Sequence, residues 1–309
     1  MRSDEQSSRA EELEASIAAC YSTWAQTYYD DYYGESAPYP PVHAEVILDE
    51  LLRAGSTRVL DAGCGPASFL QHIADHAIEW HGFDVTPEMV DEALRRSEAL
   101  GRTDTQVWLG SVLADDAFAA PNGDLEFDSA ILVGVLPHIP KSEDAAVLDR
   151  MRRSVSEGGL LIAEARNALF GLFTLNRYSA ELFTTLLIDW DRIASELSDG
   201  SEETLFRIRS GIEERFRMDL PPMRRGKEDE PGYDEVLSRT HVPFELASQA
   251  SDAGWVDVRI RYVHQHVVPP MFEHLDPAAF RRAGVAAEDP DDWRGVVRAS
   301  SFLVIGHRG

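Results

Sequence analysis

The spacing of apolar residues changes character near residue 57. Before that point, apolar and aromatic residues recur at helical spacing, which predicts one helix over 11–33 and a second over 42–54. The first helix is rich in tyrosine toward its C-terminal end and is followed by a proline-rich break. Gly55 is expected to end the second helix. The N-terminal part is therefore predicted to be helical throughout.

Beyond residue 57, short apolar runs alternate with helical patterns. This alternation predicts a parallel sheet with helices on both faces. Helices are expected to begin near Ala67 and after Thr86, where Pro87 occupies the first turn. The five predicted strands are Arg58–Asp61, Glu79–Asp84, Thr105–Gly110, Phe127–Val133 and Leu160–Ala165.

The alternation stops between Asn167 and Thr240. Two long amphipathic helical patterns fill 182–197 and 205–216, and a charged segment over 219–232 predicts a mobile loop. A helix and two further strands are then predicted at 243–253, 255–264 and 300–307. The segment between the two sheet-forming parts is therefore expected to be a helical cap or lid.

The composition is that of an ordinary globular protein, with 44% hydrophobic and 27% charged residues. No apolar run approaches the roughly 20 residues that span a bilayer, and no apolar leader is seen, so a cytoplasmic location is expected. The net charge of −25 disfavours nucleic acid and anionic membranes as partners. Cys20 and Cys64 lie far apart without metal-ligand spacing, which favours a reducing compartment and predicts no metal.

The strongest local signal is a turn with two glycines that follows an apolar strand. Glycines at Gly63 and Gly65 let the backbone turn tightly and let a ligand approach the main chain closely. A dinucleotide-binding fingerprint requires glycine or alanine three residues after Gly65, where Ser68 stands. A nucleotide-like ligand other than a nicotinamide dinucleotide is thus favoured.

The acid that precedes this turn, Asp61, completes a motif that resembles the first motif of class I, Rossmann-like S-adenosylmethionine-dependent methyltransferases. The segments 81–89, with Asp84, and 127–139 resemble the second motif and the fourth strand with its loop. The resemblance covers 57–165, and it departs from the family at Ala67, where a third glycine is usual.

The resemblance implies an α/β fold, with a Rossmann-like seven-stranded sheet, helices on both faces and a helical cap or lid insertion. It divides the chain into an N-terminal helical lid, a cofactor-binding core, a cap insertion and the C-terminal part of the sheet. The corresponding ranges are 1–56, 57–166, 167–240 and 241–309.

S-adenosylmethionine is the cofactor that the resemblance implies. Asp84 is expected to accept hydrogen bonds from the ribose hydroxyls, although it could instead cap the next helix. Ser111 stands where the family often has an acid for the adenine amino group, so its hydroxyl, backbone groups or Asp115 would serve there. The full set of expected cofactor-binding residues is Asp61, Gly63, Cys64, Gly65, Asp84, Val85, Met89, Ser111, Val112, Val133, Tyr21 and Tyr28.

Tyr21 and Tyr28 resemble an N-terminal lid that closes over the cofactor, and core packing is the alternative for both. Trp24 between them is expected to pack in the core. His138, after the fourth strand, is placed to act as a general base, or else is a packed, hydrogen-bonded residue.

The expected acceptor-binding residues follow the fifth and sixth strands. They are Arg166, Asn167, Phe170, His264 and His266. Arg166 and Asn167 would bind a hydroxylated or anionic acceptor, or else tie down the base of the lid. His264 and His266 would share a strand face, but two histidines without a third ligand do not indicate a metal.

The predicted function is methyl transfer from S-adenosylmethionine to a small molecule. A sugar-like or secondary-metabolite acceptor is favoured, at oxygen before nitrogen or carbon. The alternatives are a non-methylating protein or enzyme that uses the same cofactor and, less favoured, a nicotinamide-dependent oxidoreductase. Apolar faces on the insertion make a homodimer possible.

Overall fold

The structure is a computed structural model that describes residues 2–33, 40–121, 123, 125–197, 201–227 and 230–309. Within these ranges, the side chains of 2–11 and 201 are left out of the description. Pro38, in the predicted proline-rich break, lies outside the described residues.

One sheet of seven strands forms the centre of the chain, which confirms the predicted fold. The strands are β1 (Arg58–Ala62), β2 (Glu79–Asp84), β3 (Val107–Leu109), β4 (Phe127–Leu132), β5 (Val155–Arg166), β6 (Trp255–Gln265) and β7 (Ala299–Arg308). Their order is β3-β2-β1-β4-β5-β7-β6. The first five are parallel, and β7 lies antiparallel between β5 and β6.

The helices precede, separate and cap these strands. They are α1 (Arg2–Ser22), α2 (Tyr28–Tyr32), α3 (Val42–Ala54), α4 (Leu70–Ile73), α5 (Pro87–Ala99), α6 (Asp144–Ser154), α7 (Gly171–Thr174), α8 (Arg177–Leu182), α9 (Trp190–Glu196), α10 (Ser201–Glu213), α11 (Pro243–Asp252), α12 (Pro277–Ala286) and α13 (Gly295–Arg298). The prediction for α3 is confirmed at both ends, and Gly55 follows it in the left-handed conformation with φ 69°.

Both faces of the sheet are buried. On one face, α3, α4 and α5 cover a core that includes Ile47, Leu70 and Trp80. On the other face, α6 and α11 cover a core that includes Met151 and Phe302. The strand order reverses at β1, which pairs with β2 on one side and with β4 on the other. A crevice therefore opens at the carboxyl ends of these strands.

The single helix predicted over 11–33 is wrong. The hydroxyls of Ser22 and Thr23 donate to the carbonyls of Ala19 and Cys20, at 3.0 and 2.8 Å, and so compete with main-chain N–H groups for those acceptors. The helix ends at Ser22, and a separate helix starts at Tyr28. The break turns the tyrosines of α2 back toward α1.

The helix predicted to begin near Ala67 starts only at Leu70. Ala67 has φ 57°, in the left-handed region that disfavours residues with a side chain. This conformation explains why the similar family motif has a glycine here, and it delays the helix by a turn.

The cap also departs from its prediction. The pattern over 182–197 is divided into α8, a π-helical turn over 183–187 and α9. Asp189 starts α9 afresh, because its carboxylate accepts a hydrogen bond from the main-chain N–H of Arg192 at 2.9 Å. None of the described helices is long and apolar enough to cross a membrane.

Gly82 of β2 packs closely against the glycine turn. An added Cβ would lie 2.8 Å from the Cβ of Cys64 and 2.9 Å from the carbonyl oxygen of Asp61. We expect Gly82→Ala to lower the free energy of unfolding by about 1–3 kcal/mol, because the backbone must shift. Urea denaturation measures the change.

Gly211 provides the matched control, since a Cβ there would meet only the Arg215 side chain, at 3.6 Å, on an exposed helix. Gly211→Ala is expected to raise stability by about 0.5–1 kcal/mol. Equal stability of Gly82→Ala and the original protein would contradict the close packing of the turn.

Candidate functional site

A cavity lies at the carboxyl ends of β1, β2 and β4, beneath α1. We call it the cofactor chamber. It brings together ten of the residues predicted from the sequence, which are Tyr21, Tyr28, Gly63, Gly65, Asp84, Val85, Met89, Val112, Val133 and His138. The chamber stands at the point where the strand order reverses, which is where open α/β sheets bind their ligands.

The glycine turn forms the floor of the chamber. The N–H groups of Gly63 and Cys64 both donate to the carbonyl of Phe83, at 2.8 and 2.9 Å. Gly63 and Gly65 have φ values of 74° and 53°, and a Cβ on Gly63 would lie 2.3 Å from Val135. Glycine is therefore required at Gly63 by both conformation and space.

Asp84 connects this turn to the next helix. One carboxylate oxygen accepts from the N–H of Gly65 at 2.9 Å and the other from the N–H of Thr86 at 2.8 Å. Burial raises the pKa of Asp84, while these main-chain hydrogen bonds lower it. The carboxylate thus supports the helix start and lines the chamber at the same time, so the two predicted roles are compatible.

Asp61 and Cys64 do not line the chamber. Asp61 is 3% exposed and accepts a hydrogen bond from the indole N–H of Trp80 at 3.1 Å. Burial, partly offset by this bond, raises the pKa of Asp61 to about 7. The structure places both residues within the turn, and their contact with a cofactor stays a prediction.

The acid near the third strand comes from α1. Ser111 donates its hydroxyl hydrogen to the carboxylate of Glu14, and Glu14 lines the chamber. Asp115, the acid considered from the sequence, instead forms ion pairs with Arg150 at 2.6 Å and Arg153 at 3.2 Å on the outside of the domain. Glu14 is therefore the carboxylate that the structure brings to this end of the chamber.

The charged lining of the chamber is acidic. Glu14 and Asp84 are its carboxylates, and no lysine or arginine is found among the described residues that line it. Such a lining suits a ligand with a positive charge, such as a sulfonium, and repels a pyrophosphate. This acidic lining fits S-adenosylmethionine better than a nicotinamide dinucleotide.

Tyr21 and His138, predicted separately, form one hydrogen-bonded pair. The Nδ1 of His138 lies 2.7 Å from the carbonyl oxygen of Leu237, so it must carry the proton, and the Nε2 then accepts from the hydroxyl of Tyr21 at 2.8 Å. Burial, and next the charge of Arg166, lower the pKa of His138 to about 4. The imidazole is neutral, with its acceptor nitrogen directed at the tyrosine.

A second cavity of about 780 Å³ adjoins the chamber, and we call it the acceptor cavity. Tyr21, Tyr28, Val133 and Gly134 line both spaces. Tyr28 and Tyr32 stack at 4.6 Å between ring centroids. These shared residues form the boundary across which a group could pass from one space to the other.

The outer wall of the acceptor cavity comes largely from the C-terminal part of the cap insertion. Trp24 stacks on Tyr233 at 5.8 Å, and the guanidinium groups of Arg166 and Arg224 lie 4.8 and 4.0 Å from the centre of the same ring. Trp24, expected to pack in the core, therefore lines the cavity. These contacts attach the 219–232 loop region to the lid.

The floor of the acceptor cavity contains a chain of hydrogen bonds. The hydroxyl of Tyr33 lies 2.9 Å from the Nε2 of His43, and the Nδ1 of His43 lies 2.9 Å from the Nε2 of His264. Burial lowers the pKa values of His43 and His264 to about 4 and about 3, so both rings are neutral. His264 has φ 61°, a left-handed conformation that turns the end of β6 toward the cavity.

The remaining predicted residues, His266, Phe170 and Asn167, differ in their hydrogen bonds and in which cavity they line. His266 lines the acceptor cavity and pairs with Glu273 at 2.6 Å. It also lines an adjoining cavity of about 1570 Å³ beneath the cap, which we call the outer cavity, where its ring centroid lies 4.8 Å from that of Phe170. The amide nitrogen of Asn167 donates to two main-chain carbonyls, both at 2.9 Å, and its oxygen accepts from Leu169 at 3.0 Å. These bonds favour the structural alternative for Asn167.

Several contributing residues were missed from the sequence, among them Glu14, His43, Arg224 and Tyr233. Glu14 had a usable signal, because Glu14, Ile17 and Tyr21 share one face of α1 at helical spacing and an acid in such a stripe is unusual. Arg224 and Tyr233 had none, since they belong to a charged loop without periodicity.

Residues 59–159 match the family model of a methyltransferase domain. The matched segment contains the glycine turn, Asp84 and His138. The predicted methyltransferase family is thereby confirmed for this segment, and S-adenosylmethionine is the methyl donor of such a domain. No curated protein matches the chain in sequence.

Solved structures of methyltransferases resemble the chain at low identity. An O-methyltransferase family protein from Burkholderia thailandensis is 14% identical, with a TM-score of 0.48, and the match covers 87% of this chain and 55% of that one. Magnesium protoporphyrin IX methyltransferase from Synechocystis PCC 6803, with bound SAH, is 15% identical, with a TM-score of 0.44 and coverages of 87% and 82%. A SAM-dependent methyltransferase from Archaeoglobus fulgidus is 12% identical, with a TM-score of 0.45 and coverages of 86% and 94%. The chain thus spans about half the length of the first of these structures.

Glu14 generates a prediction about the cofactor. If its carboxylate accepts from the adenine amino group, Glu14→Gln should weaken binding of S-adenosylhomocysteine by about 5–20-fold, since a hydrogen bond to a charged acceptor is lost. Isothermal titration calorimetry measures the affinity.

Glu12→Gln is the control, because Glu12 lies on the exposed side of the same helix and the substitution removes the same charge. It should leave the affinity within about twofold of the original. Equal weakening by both variants would show a general charge effect and would remove Glu14 from the adenine site.

Proposed function

We propose, from the methyltransferase domain over residues 59–159, that the chain transfers the methyl group of S-adenosylmethionine to a small molecule. The acceptor we favour is a sugar-like compound or secondary metabolite with a hydroxyl group, ahead of nitrogen or carbon acceptors.

The observation that carries this proposal is the boundary shared by the two cavities. Tyr21 and Tyr28 line both the cofactor chamber and the acceptor cavity. Methyl transfer is an in-line displacement, which requires the donor and the acceptor atom to approach from opposite sides of one carbon. Two spaces that share a boundary lined by these tyrosines suit this geometry.

The residues present suit the cofactor. Asp84 lines the chamber and would accept from the ribose hydroxyls, and Glu14, which accepts from Ser111, would accept from the adenine amino group. When bound, S-adenosylmethionine supplies a methyl group on a positively charged sulfur, which the acidic lining of the chamber stabilises.

The Tyr21–His138 pair is suited to remove the acceptor proton. The proton of an acceptor hydroxyl becomes strongly acidic once its oxygen carries the methyl group. Tyr21 can take up that proton while passing its hydroxyl hydrogen to the Nε2 of His138, so that one proton moves along the pair. A weakly basic, neutral imidazole is sufficient for a proton of this acidity.

The preference for oxygen rests on this pair. Tyr21 and His138 are neutral, and the Tyr21 pKa is raised, mainly by burial. Neutral groups favour removal of a proton only when it is released during transfer, as from a hydroxyl. This is the argument for O-methylation over the other acceptor atoms.

Methyl-labelled S-adenosylmethionine and a panel of hydroxylated metabolites test the proposal. We expect label transfer to at least one acceptor, and we expect His138→Gln to lower kcat by about 10²–10⁴-fold with cofactor binding retained. Tyr21→Phe should lower kcat in the same direction. His307→Gln is the control, because His307 lies at the opposite end of the sheet, beside Gly158, and should leave kcat unchanged.

The pH profile provides a second readout. Because the pKa of His138 is lowered to about 4, the imidazole is unprotonated and competent above that pH, so kcat/KM should not fall between about pH 8 and pH 6 through its protonation. A fall centred near pH 6.5 that disappears in His138→Gln would contradict the assignment.

The alternatives predict other results. Tight binding of S-adenosylmethionine without label transfer to any acceptor would favour a non-methylating user of the cofactor. Binding of a nicotinamide cofactor, with no heat from S-adenosylmethionine, would favour an oxidoreductase.

A further inference from the structure

We propose that Arg166 binds an anionic oxygen group of the acceptor, a carboxylate or a phosphate ester, while the planar apolar body of the acceptor lies against the tyrosines of the acceptor cavity. This inference rests on the proposed function and narrows its substrate class. It assigns an acceptor that carries a hydroxyl at one end and an anion at the other.

Arg166 stands where the acceptor cavity meets the outer cavity. It is the last residue of β5 and lines both spaces, together with Tyr32, Arg224 and Tyr233. A ligand that entered through the outer cavity would pass this guanidinium before reaching the methyl boundary. The position is suited to hold the end of the acceptor that faces away from the cofactor.

The guanidinium of Arg166 forms no ion pair with an acid among the described residues, although the carboxylate of Glu164 is close enough to oppose the lowering of its pKa by burial. It donates to the hydroxyl of Ser238 and lies over the ring of Tyr233 at 4.8 Å. Glu164, on the same strand face, instead accepts a hydrogen bond from the N–H of Gly134 at 3.0 Å. Most of the N–H groups of the Arg166 guanidinium are therefore available to hydrogen-bond a ligand.

The nearby acid on the outer wall is already shared by other arginines. Asp234 pairs with Arg224 at 3.2 Å and with Arg177 at 3.9 Å. Arg224 also lies over Tyr233, at 4.0 Å, so two guanidinium groups face one ring. Since Asp234 already compensates the charge of Arg224, Arg166 is the guanidinium beside this ring that forms no ion pair among the described residues.

Burial makes an anionic partner for Arg166 more strongly favoured. The pKa of Arg166 is lowered, first by burial and also by the charge of Arg224, although the group stays protonated at neutral pH. A charge that has already lost much of its water gains more from a bidentate partner than an exposed one does. The site is thus prepared for an anionic oxygen group.

The rest of the cavity suits a flat, apolar body. Four aromatic side chains line the cavity near Arg166 and the Tyr21–His138 pair, namely Trp24, Tyr28, Tyr32 and Tyr233. Aromatic walls stack well on planar ligands and bind extended, hydrated chains less well. An aromatic or other planar hydroxy acid fits this arrangement better than an uncharged sugar.

The net charge of the chain, −25, bears on where an anion can bind. A strongly acidic protein repels anions over long distances, so an anionic acceptor would be bound only where local positive charge outweighs the overall field. Arg177 and Arg224 share Asp234 on one side of the cavities, and Arg166 adds a positive charge beside them.

Matched pairs of acids and amides test the proposal on the intact protein loaded with S-adenosylhomocysteine. The probes are 4-hydroxybenzoate against 4-hydroxybenzamide, 4-hydroxycinnamate against its amide, and 4-hydroxyphenyl phosphate, each titrated by calorimetry. We expect the original protein to prefer acid over amide by about tenfold or more, as for a charge-assisted pair. Comparing the carboxylates with the phosphate shows which anion the site prefers.

Arg166→Gln should abolish the preference for acid over amide, because it weakens binding of the acids only. Arg166→Lys should restore part of the preference. Arg209→Gln is the matched control, since Arg209 also lies over an aromatic ring, Trp190 at 4.5 Å, but outside the cavities. It should keep the full preference.

Equal binding of acids and amides by the original protein would overturn the proposal. So would an equal loss of both in Arg166→Gln, because it would show that Arg166 only positions Tyr233 and Ser238. Retained affinity of Arg166→Gln for S-adenosylhomocysteine separates these results from failure of the proposed function, in which the original protein would not bind that compound.

Discussion

The carboxylate of Asp84 holds together the parts of the molecule on which the site depends. Its two oxygens connect the glycine turn after β1 to the start of α5 after β2, through the N–H groups of Gly65 and Thr86. Gly65 could not adopt its left-handed conformation at low cost with a side chain present. A buried negative charge at the carboxyl ends of two neighbouring strands is therefore stabilised by main-chain dipoles, and it leaves the chamber open to a positive ligand.

The lid helix α1 contributes chemistry as well as cover. Glu14 contacts Ser111, and seven residues later Tyr21 contacts His138, so one helical face spans both ends of the chamber. Because these two contacts join the lid to loops after β3 and β4, movement of α1 would open the adenine end and separate the proton-accepting pair together. Cofactor binding and completion of the acceptor site are thus coupled through one rigid element.

The sequence predicts the parts of this structure that local patterns specify. The strands, the glycine turn and α3 follow from hydrophobic spacing and from Gly55 and Gly63, whose conformations are set within a few residues. The break after Ser22 and the late start of α4 escape such patterns, because a side-chain hydrogen bond and one left-handed alanine decide them. Tyr233 and Arg224 escape for another reason, since their positions depend on contacts with Trp24 and Arg166, which are distant in sequence.

The two cavities differ in charge, and that difference bears on specificity. The charged groups in the described lining of the chamber are carboxylates, whereas the acceptor cavity is lined by the guanidinium groups of Arg166 and Arg224 as well as by Asp31 and Glu164. A ligand with a neutral hydroxyl and an anionic end is then favoured in only one orientation, because reversing it would place its anion beside Glu14 and Asp84. The same repulsion that excludes a pyrophosphate from the chamber would direct the hydroxyl of the acceptor toward Tyr21 and His138. Orientation of the acceptor therefore follows from electrostatics as much as from shape.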